Sequence, residues 1–253
     1  MLKKRVIPTL LFLEGRLVKG KEFKDFRDTG NPRTTIRGFS AQHSDEIMLI
    51  NLSKTEDAFS NLLEVVRDAA KECFMPLTVG GGIEEVQQAK QLIHAGADKV
   101  LVNTAIHKKT SLAEEIAGEL GSQALVFGID YIDTSEGAKV VIENGKKVID
   151  SDPLECAIAL TRNVGCEIML TSIERDGSLQ GYDLEYAEIF CKEVTVPVTI
   201  SGGARNAQDI AKLFEKTEAA AASCGSLFFF ADNNPQRIKA YLRNKKVPTR
   251  SLK

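Results

Sequence analysis

PLTVGGG at 76–82 and PVTISGG at 197–203 lie 197 − 76 = 121 residues apart. Each is an apolar run opened by proline and closed by paired glycines, the pattern of a buried strand that ends in a tight turn. EIMLINL at 46–52 and EIMLTSI at 167–173 repeat at the same spacing. Two buried strands can resemble each other by chance. Two matches at one offset, sharing the proline and the Gly-Gly, point instead to a duplicated unit of about 120 residues.

Working outward, strand-like runs fall at 5–12, 46–52, 76–81, 98–103, 124–130, 167–172, 196–201 and about 219–224. Amphipathic stretches at 56–73, 84–95, 111–120, 153–164, 184–193 and 206–216 separate them. Alternating strand and helix gives a parallel sheet covered by helices. Eight such strands in 253 residues predict one (β/α)8 barrel over 1–253, built from half-barrels of about 1–120 and 121–253. No Gly-x-Gly-x-x-Gly follows the first strand, which weakens the dinucleotide-binding alternative.

Composition narrows the classes of function. A net charge of −2 gives no field of one sign to attract nucleic acid or an anionic membrane. No apolar stretch has the length of a membrane span, and the run after Lys3, Lys4 and Arg5 is too short for a signal peptide. Five cysteines, none in a Cys-x-x-Cys pair, suit a reducing cytoplasm rather than a disulfide framework or zinc site. The three histidines have no metal-ligand spacing, and neither a metal nor a cofactor is expected.

In each half a Gly-Gly turn leads from strand to helix, and the next strand ends in small polar residues. Gly82 thus joins Asn103 and Thr104, and Gly203 joins Gly225 and Ser226. Backbone N–H groups exposed at glycine turns hold anions. Tight turns often need glycine for geometry alone, but two symmetric copies with polar partners predict a ligand phosphorylated at both ends. Asp130 closes its strand where a barrel displays catalytic groups, though a carboxylate there can also cap a turn. Thr171, Ser172, Asp176, Gly177 and Ser201 add polar groups at neighbouring strand ends. The first strand breaks the pattern, because RVIPTLLFLEGRLVKG at 5–20 presents only Leu10, Leu11 and Phe12 before its turn.

GRLVKG, FRDTGNP, PLTVGGGI, GADKVLVNTA, GSQALVFGID, IMLTSIERDGSLQGYD and SGGA together resemble the HisF-type cyclase subunit of imidazole glycerol phosphate synthase, over essentially the whole chain. The resemblance implies a bis-phosphorylated ribulosyl-formimino substrate and a glutaminase docked at the bottom of the barrel. Ammonia would rise through the barrel past a gate matched here by Arg5, Glu46, Lys99 and Glu167, with Asp98 facing the glutaminase. It also implies substrate contacts at Lys19, Asn51, Thr171, Asp176 and Ser201, and phosphate contacts that include Gly177.

The family uses two carboxylates as general base and acid. One is retained as Asp130; the other falls on Leu11, and a third family acid on Asn51. Leucine transfers no proton, and Glu14 lies in the turn. EAAAASCGSLFFF is one residue longer than the family pattern before Ser226, and its aromatics suit packing rather than base stacking. Two main readings follow, ahead of a third, a non-catalytic protein that binds a phosphorylated metabolite. One is an ammonia-delivering subunit that has lost cyclase activity and serves a third, amidating enzyme, as in surface-sugar pathways. The other is a working cyclase of histidine biosynthesis.

Overall fold

The computed structural model describes residues 3–53 and 55–250. Its parallel strands are β1 (Arg5–Leu13), β2 (Ile47–Asn51), β3 (Leu77–Gly80), β4 (Lys99–Val102), β5 (Leu125–Thr134), β6 (Glu167–Ser172), β7 (Val198–Ser201) and β8 (Ala221–Cys224). Each pairs with the next, and β8 returns to β1 with Arg5 opposite Ala221. The sheet is therefore a closed (β/α)8 barrel with no free edge.

The repeat reappears as register. Ile47 pairs with Leu77 and Ile168 with Val198, both partners shifted by 121. At the next step Thr78 faces Lys99 while Thr199 faces Ala221, so the second half has gained one residue before β8.

Helices pack outside the strands. The helices Pro32–Ala41 and Pro235–Asn244 lie outside the amphipathic stretches given above, yet their starts are encoded. Asn31 accepts from the Thr34 N–H and Asn234 from the Arg237 N–H, each followed by a proline that needs no N–H partner in the first turn. The main apolar core lies between these helices and the sheet, with Phe12, Leu62, Leu92, Phe127 and Phe190 nearly or fully buried. Burying each such side chain contributes roughly 1.5–3 kcal/mol.

Inside the barrel, side chains alternate inward at every second position. Ile7, Met48, Leu101, Val126, Met169 and Ala221 form a separate apolar layer across the axis. The last helix is tied to the bottom of the barrel. Lys239 Nζ donates to Asp45 Oδ1 at 2.6 Å and to the His43 carbonyl, and Asp45 Oδ2 accepts from the Val6 N–H.

Two hairpins rise over the mouth. The expected return strand, Arg16–Lys21, is joined by a further strand, Lys24–Gly30. β5 outruns the barrel and folds back on Gly137–Ile142.

Candidate functional site

Apart from Ser172, which is buried outside it, the residues that the sequence singled out at the strand ends converge on one cavity of about 290 Å³ at the mouth. Leu11, Lys19, Asn51, Gly82, Asn103 and Thr104 line it from the first half. Asp130, Thr171, Asp176, Gly177, Ser201, Gly203, Gly225 and Ser226 line it from the second. Residues as far apart as Leu11 and Ser226, 226 − 11 = 215 positions, are brought together because every barrel strand ends on the same face.

Both glycine turns adopt conformations closed to other residues. Gly81 and Gly82 have φ of +91° and +75°, and Gly202 and Gly203 have +98° and +102°. A Cβ on Gly81 would collide with the Asn51 carbonyl, and one on Gly203 with the Gly181 carbonyl. Glycine is thus required twice over, by dihedral angle and by close approach. Each glycine turn forms a cup with the polar end of the next strand, Gly82 with Asn103 and Thr104 and Gly203 with Gly225 and Ser226, and in the second cup Ser226 Oγ is buried without a hydrogen-bond partner among the described residues. In the first, Asn103 Oδ1 is in the same state, and Thr104 Oγ1 accepts from the Glu143 N–H, which leaves its own proton for a ligand.

Lys19 crosses toward the second cup from the hairpin. Its ammonium donates to both oxygens of Asp176, at 2.6 and 2.8 Å, with both side chains largely buried. The Glu22 N–H donates to the Asp176 carbonyl, and Gly177 packs against the Gly20 carbonyl, so the hairpin and the β6 loop are stitched together. No local pattern in the sequence announced this pair.

Asp130 Oδ2 accepts from Asn103 Nδ2 at 2.9 Å. Burial pushes its carboxyl up to about 7; the Thr171 and Asn103 hydrogen bonds pull the other way, and the charge of Asp176 adds to the rise. A carboxyl titrating near neutrality can both accept and deliver a proton. Across the mouth the wall is aliphatic: Leu11 pairs in register with Ile50, and both line the cavity. Asn51 offers no substitute, since its amide is engaged with the backbone N–H and carbonyl of Ser53.

At the other end of the axis Arg5, Glu46, Lys99 and Glu167 form a ring. Arg5 donates to Glu46 at 2.7 Å and to Glu167 at 2.9 Å; Lys99 lies 2.8 Å from Glu167 and 3.4 Å from Glu46. Thr78 Oγ1 donates to the second oxygen of Glu46. Burial disfavours the Glu167 charge, but Arg5 and Lys99 more than offset this and hold its carboxyl below the usual range. Two acids and two bases leave the ring neutral. Asp98 lies outside it, exposed, accepting from the Leu77 N–H. Among the described residues no group of metal-binding side chains and no helix long and apolar enough to cross a membrane is present.

The family model for histidine biosynthesis proteins matches residues 5–234. The imidazole glycerol phosphate synthase subunits HisF of Alkaliphilus metalliredigens and Anoxybacillus flavithermus are each 36% identical, over 99% of this chain and all of theirs. That of Bacillus cereus is 38% identical over the same shares. With a closed barrel, a match across nearly its whole length and full-length relatives at this identity, the chain belongs to the histidine biosynthesis protein family, alongside the HisF subunits of imidazole glycerol phosphate synthase.

Proposed function

We propose that this barrel is the synthase-type subunit of a glutamine-dependent amidotransferase, receiving ammonia from a glutaminase at its bottom face. The observation that carries this reading is the axial order of the interior: a neutral ring of four charges below and an apolar layer above it. The cavity with its two cups and Asp130 follows. A neutral ring admits small uncharged ammonia at little electrostatic cost, while the apolar layer disfavours ammonium. The two cups fit a small molecule carrying a phosphate at each end. The unpaired cysteines support a cytoplasmic location.

Leu11 leaves Asp130 as the one remaining member of the family's acid–base pair. A general acid or base contributes roughly 10²–10⁴ in rate, so cyclisation would be slowed by about that factor and the ammonia passed to a third, amidating enzyme, such as one acting on a surface sugar. A second reading, a working cyclase of histidine biosynthesis, is favoured by the Asp130 carboxyl itself, which near pH 7 can serve successively as acid and base.

The test is an ammonia-driven cyclase assay with the family's ribulosyl-formimino substrate and excess ammonium salt at alkaline pH. Folded chain that binds the substrate without turning it over supports the first reading, and clear turnover establishes the second. Leu11→Asp should then raise the rate by about 10²–10⁴; no gain would mean that more than position 11 separates this mouth from a cyclase.

A further inference from the structure

The two cups take up the ends of β3–β4 and of β7–β8, so the closed barrel leaves two stretches of wall between them. The stretch at β5–β6 carries Asp130 and Thr171. The stretch at β1–β2 carries Leu11 and Ile50, paired in register. Leu13, two residues further along the inward face of β1, continues it outward, and Phe23 and Phe26 of the hairpin line the cavity above. A ligand that reaches from one cup to the other therefore lies between a polar wall and an apolar one.

The polar groups around the apolar wall are already engaged. The backbone of β1 pairs there with β2 on one side and with the return strand Arg16–Lys21 on the other. Asn51 uses its amide on Ser53, and Thr9, one step below Leu11 on the same face, shares its hydroxyl with Ser223. A ligand oxygen set against this wall gives up water and gains little in return, which is a net cost. A methylene group set there gains by leaving water. At the rim Phe26 is 38% exposed on a strand that otherwise carries Lys24, Asp25, Arg27 and Asp28, so the apolar surface runs outward without cover.

We infer that the mouth prefers a bis-phosphorylated ligand whose body turns a hydrocarbon edge toward Leu11 and Ile50 over one that presents oxygens there. The inference rests on the proposed phosphate-binding role of the two cups and adds the chemistry of what lies between the phosphates.

Calorimetric titration with three probes tests it: inorganic phosphate, α,ω-undecanediol bisphosphate and tetraethylene glycol bisphosphate. The two bisphosphates have equal chain length and charge, and differ only where ether oxygens replace methylene groups. Burying two methylenes in place of oxygens should make the undecanediol compound bind about tenfold more tightly, or better. Leu11→Asn, a polar side chain of similar size, should remove most of that advantage while the affinity for inorganic phosphate stays unchanged. Leu11→Met, which keeps the wall apolar, should retain the advantage and show that altered shape is not the cause. Ile50→Thr makes the same polar change on the neighbouring strand and serves where Leu11→Asn does not fold. Equal binding of the two bisphosphates by the native chain overturns the inference, as does a preference of undiminished size in the polar variants. Binding of inorganic phosphate alone overturns it and leaves the cups standing. Failure of all three probes to bind overturns the cups and the inference with them.

Discussion

Replacing Glu46 by glutamine should cost the protein about 3 kcal/mol, and much more than the same change at Glu167. The Glu46 side chain is 2% exposed and holds Arg5, Thr78 and Lys99 at once, whereas Glu167 is 19% exposed. Removing one partner of a buried pair costs about 3–5 kcal/mol, because the remaining charge stays desolvated. Arg5 and Lys99 each keep Glu167, which puts the expected loss at the low end of that range. In a domain of this size 1 kcal/mol moves the midpoint by roughly 2–4 °C, so the melt should fall by about 6–12 °C. Glu167→Gln, discounted for its contact with water, should cost about 1 kcal/mol. Thermal unfolding followed by circular dichroism at neutral pH reads both. Equal losses, or a larger one at Glu167, would refute the idea that Glu46 is the hub of the ring. Acid provides a second check. The Glu167 carboxyl is held below its unfolded value, so its contribution is present above that value and is lost as pH falls through the lower, folded one.

Other substitutions read separate parts of the structure. Asp130 has the opposite sign: its folded value of about 7 lies above the unfolded one, so it lowers stability as pH rises from about 4 to 7. Asp130→Asn should therefore raise the melting temperature at pH 8 and flatten the profile in that window, in a series of melts across pH. Lys239→Met leaves Asp45 buried without its cation and should cost about 3–5 kcal/mol, measured by urea unfolding. Gly81→Ala drives a methyl group into the Asn51 carbonyl, and should weaken binding of a phosphorylated ligand at the first cup in a calorimetric titration while the barrel still folds.

The barrel and the glycine turns were legible because they rest on local signals, apolar runs with glycine and proline punctuation, that the 121-residue repeat then doubled. The strand-end residues also converged as expected, since a barrel maps strand ends onto one face whatever lies between them. Four helices lie outside the amphipathic stretches: Thr104–Lys108 and Ser226–Phe229 are too short to show a period, and Pro32–Ala41 and Pro235–Asn244 are marked only by their caps, Asn31-Pro32 and Asn234-Pro235. Lys19–Asp176 and Lys239–Asp45 join residues 157 and 194 positions apart. No periodicity encodes such pairs. The hairpins over the mouth were half legible: the return strand was visible after Glu14-Gly15, but Lys24–Gly30, a strand of mostly charged and exposed residues, carries no apolar alternation.

The seam between β8 and β1 also governs how the chain can be handled. The Lys4 N–H donates to the Pro248 carbonyl and Lys4 bridges to Thr249, directly beside the Arg5 that enters the ring. The beginning and the end of the barrel are therefore neighbours on the face that carries the ring. A short linker could join them, and new termini could be opened near 121, between the two repeats, without breaking any strand pairing. Conversely, a tag fused close to Lys4 or Thr249 would start beside the face that carries the ring, so partner-binding measurements need tag-free protein or a permuted chain whose ends lie elsewhere.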